Sequence, residues 1–245
     1  MSHFYLSAAH KSSGKTSISI GLCAAWRAQG VQVQPFKKGP DYIDPLWLSA
    51  ASGRSCINLD FHTMQAREIH YEFVRRMRGA ELGLIEGNKG LFDGMDLHGR
   101  DSNAALALEL SSPVVLVIDT SGITRGVAPL LLGYQAFDDR LDLAGVILNK
   151  VGGSRHESKL RAVIEHYTDI PVLGAVQRAG ELQIDERHLG LIPSNESPEA
   201  SDKIALLAQA VSEQVDLDAL RAIARRPPAP AAIIELPVRR EPDLR

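Results

Sequence analysis

Residues Ala9-His10-Lys11-Ser12-Ser13-Gly14-Lys15-Thr16 follow a short apolar run, Phe4–Ala8, and lead into a segment whose apolar residues fall at helical spacing. The octet matches G-x-x-x-x-G-K-[ST] with Ala9 in place of the leading glycine. No other feature constrains the chain as much. Small residues between a strand and a helix let backbone N–H groups wrap a phosphate closely, and the helix N-terminus adds unpaired donors and a favourable dipole. The pattern predicts that Ser12, Ser13, Gly14, Lys15, Thr16 and Ser17 contact a nucleotide. Lys15 is expected to reach the β- and γ-phosphates, and the Thr16 hydroxyl to bind Mg²⁺. ATPases that act as partitioning switches carry an extra lysine five positions before the main one. That position is His10 here, with Lys11 one place late.

The same theme of apolar run, Gly- or Asp-rich turn and amphipathic segment repeats along the chain, which predicts an α/β fold of the P-loop NTPase type, a mostly parallel sheet with helices on both faces. Strands are expected at Phe4–Ala8, Val31–Phe36, Leu82–Glu86, Val114–Ile118, Gly145–Leu148 and Val172–Val176, with Gly190–Ile192 as a short seventh. Ile18, Leu22, Ala25 and Gln29 mark a helix that Gly30 stops, and Leu160, Val163, Ile164 and Tyr167 mark the apolar face of another. One domain is expected over 1–224, followed by a Pro- and Arg-rich linker or tail over 225–245.

Composition enters mainly through what it excludes. A net charge of -3 gives no general attraction to nucleic acid or anionic lipid, so neither is an expected partner. No apolar stretch approaches membrane-spanning length, and the N-terminus lacks the pattern of a secretory signal. Two widely spaced cysteines, Cys23 and Cys56, form neither a zinc motif nor a disulfide framework, which fits a reducing cytoplasm.

Two loops carry paired acids at the expected carboxyl ends of strands, where α/β sheets place ligands. The first is Phe36-Lys37-Lys38-Gly39-Pro40-Asp41-Tyr42-Ile43-Asp44-Pro45, and the second runs from Glu86 through Gly90 and Asp93 to Gly94. Moving a γ-phosphoryl group to a carboxylate brings anions together, so lysines and Mg²⁺ must neutralise charge while acids anchor the metal. Asp41 and Glu86 are the predicted metal anchors beside Thr16, and Lys37 the residue that spreads charge on the transferred phosphate. The ordinary alternative for Asp41, Asp44 and Asp93 is helix capping or turn formation. An acid ending a buried strand, as Glu86 does, needs a partner such as a metal.

These segments, with Asn58-Leu59-Asp60, Gly145 to Val151 and Arg187-His188-Leu189-Gly190-Leu191-Ile192-Pro193, resemble the amidoligase domain of the cobyrinic and hydrogenobyrinic acid a,c-diamide synthases, in the same P-loop group as dethiobiotin synthetase. The resemblance implies ATP-dependent phosphorylation of a peripheral carboxylate of a corrin-type tetrapyrrole and attack on the acyl phosphate by ammonia. It gives Asp44 and Asp93 the placing of substrate or ammonia, and Asn149 the adenine. It also allows a homodimer. Such enzymes continue into a glutaminase domain with a nucleophilic cysteine and a histidine, and nothing of that kind follows Arg225. Ammonia is therefore expected free or from a glutaminase domain or subunit in trans. Lys89 and Asn103 stand where less polar residues are expected, which leaves a sirohydrochlorin-type substrate open, and His98 and Arg100 are further candidates for meeting substrate carboxylates. A P-loop switch ATPase and a carboxylase like dethiobiotin synthetase are the other readings. The paired acids at Asp41 and Asp44 have no evident task in the switch.

Overall fold

In the computed structural model, residues 1–226 are described apart from Gln183, Asp185, His188, Leu189 and Pro198. Seven strands form one parallel sheet in the order β3-β2-β4-β1-β5-β6-β7. They are β1 (His3–Ala8), β2 (Val33–Lys38), β3 (Ile57–Leu59), β4 (Leu82–Glu86), β5 (Val114–Asp119), β6 (Leu143–Val151) and β7 (Val172–Gln177). The helices are α1 (Lys15–Ala28), α2 (Ile43–Ser52), α3 (Ala66–Arg76), α4 (Asn103–Glu109), α5 (Val127–Phe137), α6 (Ser154–Tyr167), α7 (Ala200–Gln214) and α8 (Leu217–Ala224).

Side chains of a strand alternate between faces, so a sheet covered on both sides carries two cores. Phe4, Leu6 and Ala8 of β1 join Leu22 and Trp26 of α1, Trp47 and Leu48 of α2, Leu207 of α7 and Leu220 of α8. On the other face Tyr5 of β1 joins Phe73 of α3, Leu106 of α4, Leu131 of α5 and Leu160 and Ile164 of α6. The predicted α/β architecture with helices on both faces is what forms. Gly21 permits the close seat of α7 on α1, because a Cβ there would stand 2.7 Å from the Leu207 carbonyl oxygen.

The seventh strand differs from the expectation. Ile57–Leu59 supplies it at the edge beside β2, whereas Gly190–Leu191 forms a separate two-residue ribbon, β9, with β8 (Glu186–Arg187). Three residues interrupted by Asn58 carry too little alternation to be read as a strand. Tyr167 also leaves the predicted face of α6: it is exposed, and Arg125 stacks 5.3 Å from its ring centre. The Trp47 indole N–H of α2 donates to the Ile192 carbonyl at 2.8 Å, which ties that helix to the segment after β9. His188 and Leu189 of the predicted 187–193 run lie outside the described residues, as does most of the expected tail, 227–245.

Candidate functional site

All seven strands point their carboxyl ends to one rim, and the loops that leave β1, β2, β4 and β6 meet there. The loop after β1 is shaped by Ser12 at φ 63° and Gly14 at φ 89°, left-handed conformations that point successive amides inward. Gly14 is required twice over, since a Cβ there would also run into the side-chain amide of Asn149. That amide donates to the Ser13 carbonyl at 2.9 Å, and Lys150 donates to the Ser12 carbonyl at 2.9 Å and to Asp119 at 2.7 Å. The end of β6 therefore holds the loop open from behind.

Lys15 begins α1 and is nearly buried, with its ammonium 2.6 Å from the Lys89 carbonyl. Burial lowers its pKa to about 8, against the opposing pull of Glu86. One turn further, the Thr16 hydroxyl lies 2.9 Å from Glu86 Oε1 and 3.2 Å from Asp44 Oδ2. Lys37, at the end of β2, donates to the same two oxygens at 2.6 Å each and to the Gly87 carbonyl at 3.2 Å. Burial works against its charge, but Glu86 and Asp44 outweigh burial and push its pKa up. Glu86 is 0% exposed, and burial pushes its pKa up against the pull of Lys37. Its Oε2 makes no hydrogen bond, although the Ser19 hydroxyl lies close enough to favour its charge.

Thr16, Lys37, Asp44 and Glu86 thus converge, and Asp41 stands to the side. Asp41 Oδ1 accepts from the N–H groups of Ile43 and Asp44, at 3.0 and 3.1 Å, and so caps α2, while Oδ2 is left for a ligand. Burial and the nearby Asp44 charge push its pKa up. Asp93 closes its own loop by accepting from the Gly90 N–H at 2.8 Å.

Asn103, set aside in sequence as a mark of a different substrate, is fully buried and faces the loop instead. Its Oδ1 accepts from the Tyr5 hydroxyl and the Asn88 N–H, and its Nδ2 donates to the Asn88 and Gly90 carbonyls at 2.5 and 2.6 Å. Only a contact across 98 residues, Tyr5 to Asn103, reveals that role. Arg100 forks onto Asp96, 2.7 and 3.1 Å away, rather than joining the convergence.

Beside the phosphate loop lies an open cleft of about 500 Å³, whose lining includes Gly14, Ser17, Asn149, Val176, Gln177 and Leu207. Its place next to the loop and its mixed apolar and amide lining suit a nucleobase. The group that a phosphate loop implies fits the residues present. A buried lysine short of an anion and a buried carboxylate oxygen short of a cation complement a polyphosphate and a divalent cation. Among the described residues no three His, Cys, Asp or Glu side chains form a metal cluster. A cation here would need the Thr16 hydroxyl and phosphate oxygens to complete its shell, as Mg²⁺ does.

Residues 8–192 match the model of the CobQ/CobB/MinD/ParA nucleotide binding domain. The chain belongs to that family. It is 50% identical over 220 residues to the cobyrinate a,c-diamide synthase of Magnetococcus marinus, covering 90% of this chain and 47% of that protein. It is 42% identical over 228 residues to the hydrogenobyrinate a,c-diamide synthase of Thermobifida fusca, covering 91% and 48%. This member of the family spans about half the length of the curated relatives it matches. Among solved structures, chloroplast FtsY from Physcomitrella patens superposes with a TM-score of 0.53 at 18% identity, over 84% of this chain and 65% of that one. That likeness concerns the fold. Among the described residues no helix is long and apolar enough to cross a membrane.

Proposed function

We propose that this chain is the ATP-binding amidoligase half of a cobyrinate- or hydrogenobyrinate-type a,c-diamide synthase, working in the cytoplasm. The observation that carries this reading is the meeting of Thr16, Lys37, Asp44 and Glu86 at the mouth of the phosphate loop. A nucleotide site that only binds and hydrolyses has no need of a second buried lysine held between an acid from β4 and one from α2.

In this reading Ser12, Ser13, Gly14, Lys15, Thr16 and Ser17 cradle the phosphates, and the base occupies the cleft beside Asn149. Thr16 and Glu86 hold Mg²⁺ with Asp41 as the second carboxylate, whose Oδ1 takes the N–H groups of Ile43 and Asp44 and whose Oδ2 carries no bond among the described residues. The ion, when bound, neutralises phosphate charge. Lys15 and Lys37 bear the charge that develops as a substrate carboxylate oxygen attacks the γ-phosphorus and ADP leaves. Ammonia then attacks the acyl carbon, phosphate departs, and the amide loses a proton. Asp44, in the first turn of α2, and Asp93, in the loop after β4, place the substrate and accept that proton. Ammonia comes from glutamine hydrolysed by a glutaminase domain or subunit, or from free ammonium. A diamide product means that the substrate presents two carboxylates on one molecule.

Purified chain, Mg²⁺, ATP and ammonium should be incubated with cobyrinic acid, hydrogenobyrinic acid or a sirohydrochlorin. The expected result is ADP release that depends on the tetrapyrrole, with a mass loss of one unit per amidation. ATP turnover indifferent to every tetrapyrrole would move the weight to a switch ATPase, and turnover that needs bicarbonate to a carboxylase.

A further inference from the structure

Lys38 closes β2 beside Lys37, and neighbours on a strand face opposite ways. Lys37 reaches Glu86 and Asp44 on one side. Lys38 turns to the other face and is 6% exposed. The acids that act on it are Asp101 and Asp60, yet both are committed to their own loops. Asp60 accepts from the His62 N–H at 3.1 Å and the Thr63 hydroxyl at 3.0 Å. Asp101 accepts from the N–H groups of Met95 and Asp96 at 2.8 and 3.1 Å, with the His62 ring 3.8 Å away. Among the described residues none takes a hydrogen bond from the Lys38 ammonium.

The stem of Lys38 is buried while its ammonium keeps a path to the rim, where a bound anion can complete it. Burial lowers the pKa of Lys38, Asp101 and Asp60 oppose the shift, and Lys89 and Lys37 add to it. Two further cations, Lys89 and Lys37, therefore sit within electrostatic reach of it. The loop that Asp101 holds also exposes apolar side chains: Met95, whose amide is bonded to Asp101, is 80% exposed and Leu97 is 94% exposed. A cation facing a loop that exposes apolar side chains suits a large apolar ring that carries acidic arms.

We propose that Lys38 is a substrate-recognition residue that receives a non-reacting carboxylate of a polycarboxylate macrocycle while another carboxylate is phosphorylated at Lys37. The inference rests on the amidoligase reading above and adds to it a basis for register. Two ammoniums on opposite faces of one strand end require two carboxylates on one ligand. An acid with a single arm engages one of them, and a substrate with several arms is held by one while another reacts.

The test is equilibrium binding of cobyrinic acid, followed by its absorbance, to the wild-type chain, Lys38→Met and Lys38→Arg, with Mg²⁺ and a non-hydrolysable ATP analogue titrated in parallel. Lys38→Met should weaken cobyrinic acid binding about tenfold or more while leaving the nucleotide affinity and thermal midpoint unchanged. Lys38→Arg, which keeps the charge, should bind more tightly than Lys38→Met. If the wild-type chain binds cobyrinic acid and Lys38→Met matches it within about threefold, Lys38 has no such role and the amidoligase reading stands. If Lys38→Met loses nucleotide binding too, the lysine holds the loops of Asp60 and Asp101 and the proposal fails. Absence of binding by the wild-type chain to any tetrapyrrole would remove the amidoligase reading, and this inference with it.

Discussion

Lys37 Nζ stands 2.6 Å from Glu86 Oε1, a lysine at the end of β2 against an acid at the end of β4, both within the sheet. The two strands are direct neighbours, and their register places residue 37 opposite residue 86. Removing either partner leaves the other charge buried. Lys37→Met should therefore destabilise the chain by about 3–5 kcal/mol, the usual cost of breaking a buried pair from one side. Urea unfolding measures it, and an unchanged midpoint would mean that Glu86 is protonated in the free chain.

Glu86→Gln is the milder change, since it keeps the shape and the bond from Thr16. Turnover should fall at least about a hundredfold through loss of charge stabilisation at the phosphoryl group. The concentration of Mg²⁺ needed for half-maximal rate should rise with it. A steady-state Mg²⁺ titration separates this from a folding defect.

Asp41 offers a cleaner separation of structure from chemistry. Asn is as good a helix cap as Asp, so Asp41→Asn should keep α2 and its stability while raising the Mg²⁺ requirement. Asp41→Ala should lose about 1 kcal/mol of stability as well. Equal kinetics in Asp41→Asn and the wild type would assign the cation to Asp44 with Glu86.

The low pKa of Lys15, about 8, has a consequence for pH. Between that value and the unfolded value of 10.5 the unfolded chain holds a proton the folded one has released, so this group makes the free chain more stable as pH rises through that window. Nucleotide binding has the opposite sign. A phosphate beside Lys15 holds its proton on, so affinity should fall by up to about tenfold per pH unit above 8, with proton uptake on binding. Calorimetry at pH 8.5 in two buffers of different ionisation enthalpy detects that uptake. Binding without it would show that Lys15 stays charged in the free chain.

Much of this site is legible in the sequence because its chemistry is local. Ser13-Gly14-Lys15-Thr16 lie between a strand and a helix within one stretch of chain, and Lys37 and Glu86 end apolar runs that read as strands. What is not legible depends on strands being laid side by side. Asn103 is set for its clamp on the 88–90 loop by Tyr5, 98 positions away, and Asn149 and Lys150 hold the phosphate loop from 136 and 138 positions away. Asp41 and Asp44 are three residues apart and identical in type, and only the start of α2 between them makes one a cap and the other a partner of Lys37. The edge strand Ile57–Leu59 owes its form to the Phe36–Lys38 end of β2, against which it pairs, rather than to its own pattern.

The bond from Trp47 to the Ile192 carbonyl gives the protein an optical reporter of its own. Of the two tryptophans, Trp26 is sealed at the far end of α1 against Phe4, remote from the phosphate loop along that helix. Trp47 sits one turn along α2 from Asp44 and leans on the segment that follows the small ribbon. Any ligand that shifts either of those two parts disturbs the indole N–H, so native fluorescence can follow occupancy of the rim in an unlabelled chain.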